Sequence, residues 1–205
     1  MTIRKLASWV GLLALTFAAS AQATVVVSNL SQSTFGTDSG VLVAAGQQFT
    51  TGSTTENLQS VTLRLLGSAD SLNVSLYSDN AGNPGTSLLS LGSLTPSGSG
   101  YANYSLTAPS AFSLVASTAY WVVATYNGTP SWAYTYSTSY TGTGSLGNVA
   151  NSTTGVGSWT TYSGAFEPYQ LEVDSGAASV PEPSTLALIG LGVVGLGFGR
   201  RKKTR

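Results

Sequence analysis

Residues 61–65 read Val-Thr-Leu-Arg-Leu and residues 72–76 read Leu-Asn-Val-Ser-Leu, so apolar and polar side chains alternate with a period of two. Such alternation predicts β-strands with one buried and one solvent-facing side. Residues 169–174 repeat the pattern, whereas residues 25–27 and 120–124 are apolar without a break, as in central strands. Many short strands separated by Gly- and Pro-containing turns predict an all-β fold, a single antiparallel β-sandwich that is jelly-roll-like.

Two segments between these strands carry turn-forming residues. Residues 79–85, Asp-Asn-Ala-Gly-Asn-Pro-Gly, predict a long turn after the second of the alternating strands. The pair Asn127-Gly128 predicts a β-hairpin that joins strand 120–126 to an aromatic run beginning at Trp132. No part of this region shows the 3.6-residue period of an amphipathic helix, so none is predicted there.

The N-terminal segment, residues 1–23, has the parts of a secretory signal peptide. Arg4 and Lys5 supply a positive charge, and residues 6–17 form a short apolar stretch. The small-residue rule for cleavage is satisfied at Ala21 and Ala23, so the mature chain is predicted to begin at Thr24. The alternative is an uncleaved N-terminal anchor, which the short apolar stretch disfavours. Export through the Sec translocon is therefore expected.

The C-terminal segment, residues 180–205, is built in three parts. It opens with Val180-Pro181-Glu182-Pro183-Ser184, in which the two prolines interrupt any helix from upstream. A transmembrane helix is predicted over residues 183–199; its apolar residues 185–198 span roughly 21 Å at about 1.5 Å per residue, against a hydrocarbon layer of about 30 Å. The basic tail 200–205 is predicted to stop transfer and stay cytoplasmic, through Arg200, Arg201, Lys202 and Lys203.

These three parts, in this order at the end of a chain, resemble the PEP-CTERM sorting signal of Gram-negative bacteria. The resemblance implies that the segment Val180–Ser184 is recognised by an exosortase, a membrane-embedded cysteine transpeptidase-like enzyme. It further implies a membrane-anchored intermediate at the inner membrane, removal of the helix, and delivery to the cell surface or extracellular matrix. Proteins of this family are associated with exopolysaccharide and biofilm production, so exopolysaccharide is an expected partner.

Residues 24–174 are predicted to form the β-sandwich ectodomain, and residues 175–179 a small-residue linker. Cysteine and histidine are absent, which excludes disulfides and a Ser-His-Asp triad. From residue 24 to 179 there is one basic residue, Arg64, against seven acidic ones, a net charge of 1 − 7 = −6. Nucleic-acid binding is therefore not expected, because phosphate recognition needs a basic surface.

Three groups of residues are candidate sites in the ectodomain. A calcium ion is one candidate ligand of the turn at residues 79–85, and the alternative is a simple Asx turn. Aromatic rings offer flat faces for stacking on sugars, and the alternative is that they fill the core. A carboxylate pair for glycoside hydrolysis is disfavoured because nothing indicates an apolar pocket, so the protein is predicted not to be an enzyme. The residues concerned are Asp79, Asn80 and Asn83 for calcium; Trp132 and Trp159, with Tyr134, Tyr136, Tyr140 and Tyr162 nearby, for sugar; and Glu167, Glu172 and Asp174 for hydrolysis.

A second resemblance covers roughly residues 40 to 175. The segments 48–52, 58–63 and 74–85, followed by Tyr120-Trp121, are similar to choice-of-anchor ectodomains, most of all the R-type. This name implies no biochemical activity. The leading hypothesis is an exported structural or adhesive protein of the exopolysaccharide layer, and the alternative is a carbohydrate-binding module that uses exposed Trp and Tyr side chains.

Overall fold

The computed structural model describes residues 23–38, 42–68, 70–129, 131–163 and 167–176. These residues form thirteen strands and no helix, which confirms the all-β prediction. The strands are β1 Thr24–Ser28, β2 Gly36–Thr37, β3 Ala44–Thr50, β4 Glu56–Leu66, β5 Ser71–Asn80, β6 Asn83–Leu94, β7 Tyr101–Thr107, β8 Ser113–Leu114, β9 Ala119–Asn127, β10 Ala133–Tyr134, β11 Ser145–Ser152, β12 Thr160–Tyr162 and β13 Leu171–Gly176.

The strands form two large sheets and one small sheet, and every pairing among the described residues is antiparallel. The first sheet has the order β1-β13-β4-β7, with β8 paired to β4, and the second has the order β12-β11-β3-β9-β5-β6. The small sheet consists of β10 and β2. Strand β9 is central, as its unbroken apolar run predicts, but β1 lies at an edge, so the prediction that residues 25–27 form a central strand was wrong.

One hydrophobic core lies between the two large sheets. Val61, Leu63 and Leu65 of β4 are fully buried, and so are the inward residues Val74 and Leu76 of β5, all within one contact cluster. The alternation of residues 61–65 and 72–76 therefore has the meaning predicted for it, one side in the core and one side toward solvent. The arrangement is that of a β-sandwich, and the jelly-roll topology stays a prediction.

The predicted hairpin at Asn127-Gly128 does not form. Strand β9 pairs with β3 and β5, whereas β10 pairs with β2, so the chain crosses from one sheet to another after Asn127. Gly128 has φ of +134°, outside the range of a type I′ turn, and the next N–H, that of Thr129, donates to the Asp70 carboxylate. An Asn-Gly pair favours φ above zero. Here the positive φ of Gly128 lies in the segment that crosses between two sheets, not in a hairpin turn.

The long turn predicted at residues 79–85 is also shorter than expected. Asn80 pairs with Asn83, so only Ala81 and Gly82 lie between β5 and β6. Their φ values of +51° and +82° fit a type I′ hairpin turn, in which both central residues are left-handed. The run of Gly, Asn and Pro residues predicted a turn up to residue 85, but residues 83–85 already belong to β6.

At the chain ends, the structure bears on the predicted boundaries in two places. Strand β1 begins at Thr24, and strand β13 continues through Ser175 to Gly176, so the linker predicted at 175–179 begins two residues too early. The signal peptide with Ala21, the sorting residues 180–184, the predicted helix 183–199 and the basic tail lie outside the described residues. Within the described part of the chain, no helix is long and apolar enough to cross a membrane.

Candidate functional site: an exposed aromatic cluster

The Asp79 turn does not have the geometry of a calcium site. Both carboxylate oxygens of Asp79 accept hydrogen bonds, one from Trp121 Nε1 at 2.8 Å and Gln48 Nε2 at 2.6 Å, the other from the Gly82 N–H at 3.1 Å. Of the two predicted partner ligands, Asn80 is exposed to solvent, and Asn83 Oδ1 already accepts from a threonine hydroxyl. Among the described residues no three acidic, His or Cys side chains are grouped for a metal. The alternative interpretation, an Asx-type turn, fits this geometry.

Trp132, one of the two predicted sugar contacts, lies in the core. Its side chain is 1% exposed, its ring stacks on Tyr169 with 4.7 Å between centroids, and its Nε1 donates to the Gln170 carbonyl at 2.8 Å. A sugar cannot reach it, so this prediction was wrong. Trp159 is half-buried and packs against Trp121 and other residues on the outer side of the six-stranded sheet, and its role as a sugar contact stays a prediction.

Three other rings do meet at the surface, and we call them the aromatic cluster: Phe35, Tyr134 and Tyr136. Phe35 is 61% exposed and Tyr136 is 54% exposed, and the centroids of their rings are 4.0 Å apart. Tyr134 is half-buried and lies 5.7 Å from Phe35 and 6.0 Å from Tyr136. Large apolar side chains that are exposed together, rather than singly, indicate an interaction surface.

The backbone of two short strands holds the aromatic cluster. Tyr134 of β10 pairs with Gly36 of β2, and its carbonyl accepts from the Phe35 N–H at 2.9 Å. On the other side, the Thr135 N–H donates to the Pro168 carbonyl at 3.1 Å, so the segment that precedes β13 supports β10. Segments that are about 100 residues apart in the sequence therefore meet here by backbone hydrogen bonds.

Below these strands lie three amide side chains with no exposed area: Asn29, Gln47 and Gln170. Asn29 binds the backbone on both sides of Gln170, because Nδ2 donates to the Tyr169 carbonyl at 3.1 Å and Oδ1 accepts from the Leu171 N–H at 2.8 Å. Gln47 Oε1 accepts from the Tyr169 N–H at 2.9 Å. Every buried polar side-chain atom in the described residues has a partner, so this base is fully hydrogen-bonded.

Gln170 ties this base to the loop that carries Phe35. Its Nε2 donates to the Gln32 carbonyl at 2.7 Å, and its Oε1 accepts from the Thr34 hydroxyl at 2.5 Å. Thr34 directly precedes Phe35, and its hydroxyl oxygen also accepts from Arg64 Nε at 2.7 Å. Because buried, satisfied polar networks specify one geometry, the Phe35 loop has a defined position.

Two carboxylates lie near the aromatic cluster. Asp38 follows β2 and accepts a hydrogen bond from the Tyr169 hydroxyl, whose oxygen also lies 2.7 Å from the side-chain amide of Asn151. Burial raises the pKa of the Tyr169 hydroxyl well above its ordinary value, and the negative charge of Asp38 adds to the shift, so the hydroxyl stays protonated and donates. Desolvation also raises the pKa of the Tyr134 hydroxyl, and the charges of Glu167 and Asp38 raise it further.

The other carboxylates weighed for catalysis lie on the outer side of β13. Glu172 and Asp174 are half-buried and alternate with the buried residues Leu171 and Val173, as the period of two predicts. Asp174 accepts from the Ser60 hydroxyl at 3.0 Å. Glu167 lies before this strand, in a left-handed conformation with φ of +53°, rather than beside them on the strand.

Sequence reasoning named Tyr134 and Tyr136 but missed Phe35. It stands alone in the segment Ser31–Thr37, which is otherwise polar or glycine, and belongs to no alternating pattern. A large apolar side chain without a buried-strand pattern around it was the available signal. What the sequence could not show is its partner, because Tyr136 is distant along the chain.

The aromatic cluster lies at the end of the domain opposite to the chain exit. Tyr134 forms a bridge with Tyr169, two residues before β13 begins, whereas the chain leaves the described domain after Gly176. At about 3.3 Å per residue, Tyr169 and Gly176 are roughly 23 Å apart along the strand. At its far end β13 pairs with the start of β1, Ser175 beside Thr24. The two ends of the ectodomain are thus neighbours, away from the aromatic cluster.

Comparison with known protein families finds the PEP-CTERM protein-sorting motif at residues 179–203. This match confirms the predicted sorting signal and indicates an exported protein that is sorted by an exosortase through a membrane-anchored intermediate. Neither a search of curated proteins nor a search of solved structures finds a match to this chain. The resemblance of residues 40 to 175 to choice-of-anchor ectodomains therefore stays a hypothesis.

Proposed function

We propose that the chain is an exported, non-enzymatic adhesion protein of the cell surface or extracellular matrix, and that its ectodomain binds polysaccharide through the aromatic cluster. The sorting motif at residues 179–203 supports export and surface delivery. The observation that carries the binding proposal is the exposed pair of Phe35 and Tyr136, whose centroids are 4.0 Å apart. Adhesion, rather than a purely structural role, is favoured because this pair lacks a covering element among the described residues.

The chemistry of the aromatic cluster suits a sugar. Ring faces cover the apolar face of a pyranose, while hydroxyl and amide groups at the edge bind its hydroxyls. The Tyr134 and Tyr136 hydroxyls, the Ser137 side chain and the Gln32 side chain provide such groups at or beside the rings, and Ser137 Oγ donates to Gln32 Oε1 at 2.7 Å. The fixed backbone below the rings reduces the entropy lost on binding.

The position of the aromatic cluster also supports adhesion. A protein held by its C-terminal segment, during transit or after sorting, presents the far end of its last strand to the surroundings. That end carries the bridge between Tyr134 and Tyr169. A ligand there would not compete with the membrane or with the processing enzyme for space.

Binding is tested by affinity electrophoresis and calorimetry of the mature protein with a panel of purified polysaccharides, including the exopolysaccharide of its own host. Phe35→Ala and Tyr136→Ala should each weaken binding by at least about fivefold, because one lost ring contact costs about 1 kcal/mol or more. Tyr162→Ala removes an exposed ring from β12 of the six-stranded sheet, outside the aromatic cluster, and should leave binding unchanged. Binding to no polysaccharide would refute the adhesive role and leave a structural one.

Sorting is tested by the intact mass of the protein recovered from its host. The expected chain begins at Thr24 and ends between Pro181 and Ser184. A chain that still ends at Arg205 would contradict removal of the C-terminal helix, and the protein would then be a membrane-anchored surface domain.

A further inference from the structure

We propose that the polysaccharide bound by the aromatic cluster carries protonated amino groups, as a de-N-acetylated amino-sugar polymer does. This inference rests on the proposed glycan binding and specifies its ligand class. The observation behind it is the placement of two carboxylates, Asp38 and Glu167, next to the two segments that flank β10, the strand that carries Tyr134.

Backbone pairings fix both positions. Thr37 pairs with Ala133, the neighbour of Tyr134, and Asp38 is the next residue after Thr37. On the other side, the Pro168 carbonyl accepts from the N–H of the residue between Tyr134 and Tyr136, and Glu167 directly precedes Pro168. One carboxylate therefore lies next to each of the two segments that flank β10, Asp38 after β2 and Glu167 before Pro168.

The electrostatic effect of these carboxylates reaches Tyr134 of the aromatic cluster. After desolvation, the charges of Glu167 and Asp38 contribute to the raised pKa of the Tyr134 hydroxyl. Both side chains are half-buried, so their charges are screened less by water than those of fully exposed groups. A ligand beside Tyr134 therefore meets the negative potential of both carboxylates.

Only one basic side chain of the ectodomain can offset this potential, against seven acidic ones. Arg64 is the single Lys or Arg between residues 24 and 179. Its Nε donates to Thr34, and the rest of the guanidinium is directed to β7, where it donates to Asn103 Oδ1 at 3.3 Å and lies 6.0 Å from the Tyr101 ring centroid. An anionic polysaccharide would thus be repelled, whereas a cationic one is attracted by the whole domain.

Aromatic faces and carboxylates together are the groups that recognise ammonium ions. A cation over a ring face is attracted by the ring quadrupole, and a carboxylate beside it accepts a charge-assisted hydrogen bond. A neutral sugar would use the rings and the hydroxyl and amide groups beside them, and would gain nothing from the charge of the carboxylates. The carboxylates therefore distinguish an amino sugar from its N-acetylated form, which has the same backbone and no positive charge.

The test compares a glucosamine oligosaccharide with the N-acetylglucosamine oligosaccharide of equal length, by calorimetry on the mature protein at mildly acidic pH. We expect the amino form to bind about tenfold more tightly, and the preference to shrink as salt is added. Glu167→Gln should weaken binding of the amino form by up to about fivefold and leave the N-acetyl form unchanged. Asp174→Asn is the matched control, because it removes the same charge from β13 outside the aromatic cluster and keeps an acceptor for Ser60.

Asp38→Asn provides a second charge variant, with thermal unfolding measured in parallel because Asp38 accepts from the Tyr169 hydroxyl. Equal or tighter binding of the N-acetyl form would overturn the amino-sugar proposal while leaving glycan binding intact. Binding of neither form, nor of any other polysaccharide, would overturn both proposals. Oligolysine that binds more tightly than the amino sugar, with Phe35→Ala without effect, would assign the surface to basic polypeptides and overturn the proposal as well.

Discussion

The replacement of Gln47 by leucine tests whether buried amides hold the base of the aromatic cluster. Gln47 is fully buried on β3. Its Oε1 accepts from the Tyr169 N–H at 2.9 Å, and its Nε2 lies 3.2 Å from the carbonyls of both Gly147 and Asn148. These two residues lie where the pairing of β11 with β3 shifts register, so the amide side chain replaces hydrogen bonds that the ladder does not provide there.

The size of the effect follows from the groups left without partners. Leucine has a similar volume but removes the acceptor of the Tyr169 N–H and the donor to the two carbonyls. A buried backbone group without a partner costs about 1–3 kcal/mol, so two to three such groups cost about 4–6 kcal/mol. Burial of the apolar leucine side chain returns about 2 kcal/mol. The free energy of unfolding should fall by about 2–4 kcal/mol, which lowers the midpoint temperature by about 5–15 °C in a domain of this size.

The assay is urea unfolding and differential scanning calorimetry of the Gln47→Leu variant. Gln59→Leu serves as the matched control, since Gln59 is exposed on β4 and its replacement should change the free energy of unfolding by less than about 0.5 kcal/mol. Glycan binding should weaken in parallel for Gln47→Leu alone. A loss below about 1 kcal/mol, or a loss no larger than that of Gln59→Leu, would refute the reasoning that this amide is a structural requirement.

Three further predictions concern single positions. Trp132→Ala should lower the free energy of unfolding by about 3–5 kcal/mol in urea titrations, as core aromatic truncations do, whereas a sugar-contacting tryptophan would lose binding without losing stability. Ala81→Asn should raise the free energy of unfolding by about 0.5 kcal/mol, and with it the thermal midpoint, because Asn tolerates the φ of +51° better than alanine. A lower thermal midpoint would contradict the type I′ turn. The N–H of Thr129 and its hydroxyl lower the pKa of Asp70 below 3.8, so Asp70 stabilises the fold above its unfolded pKa and this contribution is lost as the pH falls through the lower folded value. Asp70→Asn should therefore reduce the dependence of the urea midpoint on pH between about 2 and 5, and an unchanged slope would argue against the bond.

The strands were predictable where the pattern is local. Strand β4 has one side in the core and one side toward solvent along most of its length, so apolar residues such as Leu63 alternate with polar ones in its sequence. A period of two therefore identifies the strand. The edge position of β1 was not predictable, because Val26 and Val27 both lie in the core cluster and the backbone of residues 141–144, distant in sequence, hydrogen-bonds to the outer edge of the strand. Burial on both faces does not identify a central strand when a loop covers the edge.

The aromatic site was predicted only in part, and β10 shows why. Trp132, Tyr134 and Tyr136 have the spacing of one strand face, which predicts that all three point the same way. Strand β10 contains only Ala133 and Tyr134, so the regular alternation ends before Tyr136. Trp132 enters the core and Tyr136 reaches solvent. The length of a strand depends on its partner, here the two-residue β2, and that partner is not visible in the local sequence.

The same buried polar groups stabilise the fold and position the aromatic cluster, and the composition of the chain explains why. Without cysteine and with Arg64 as the single basic residue between 24 and 179, neither disulfides nor a network of ion pairs can fix loops to the sheets. The polar groups that remain are amides and hydroxyls. Their hydrogen bonds hold a loop firmly only when they are buried, because a buried group without a partner strongly destabilises the fold. The loop of Phe35 is therefore held by Gln170 from inside the domain. A rigid binding surface in such a chain requires a polar core beneath it, and damage to that core should abolish binding and stability together, whereas damage to Phe35 itself should abolish binding alone.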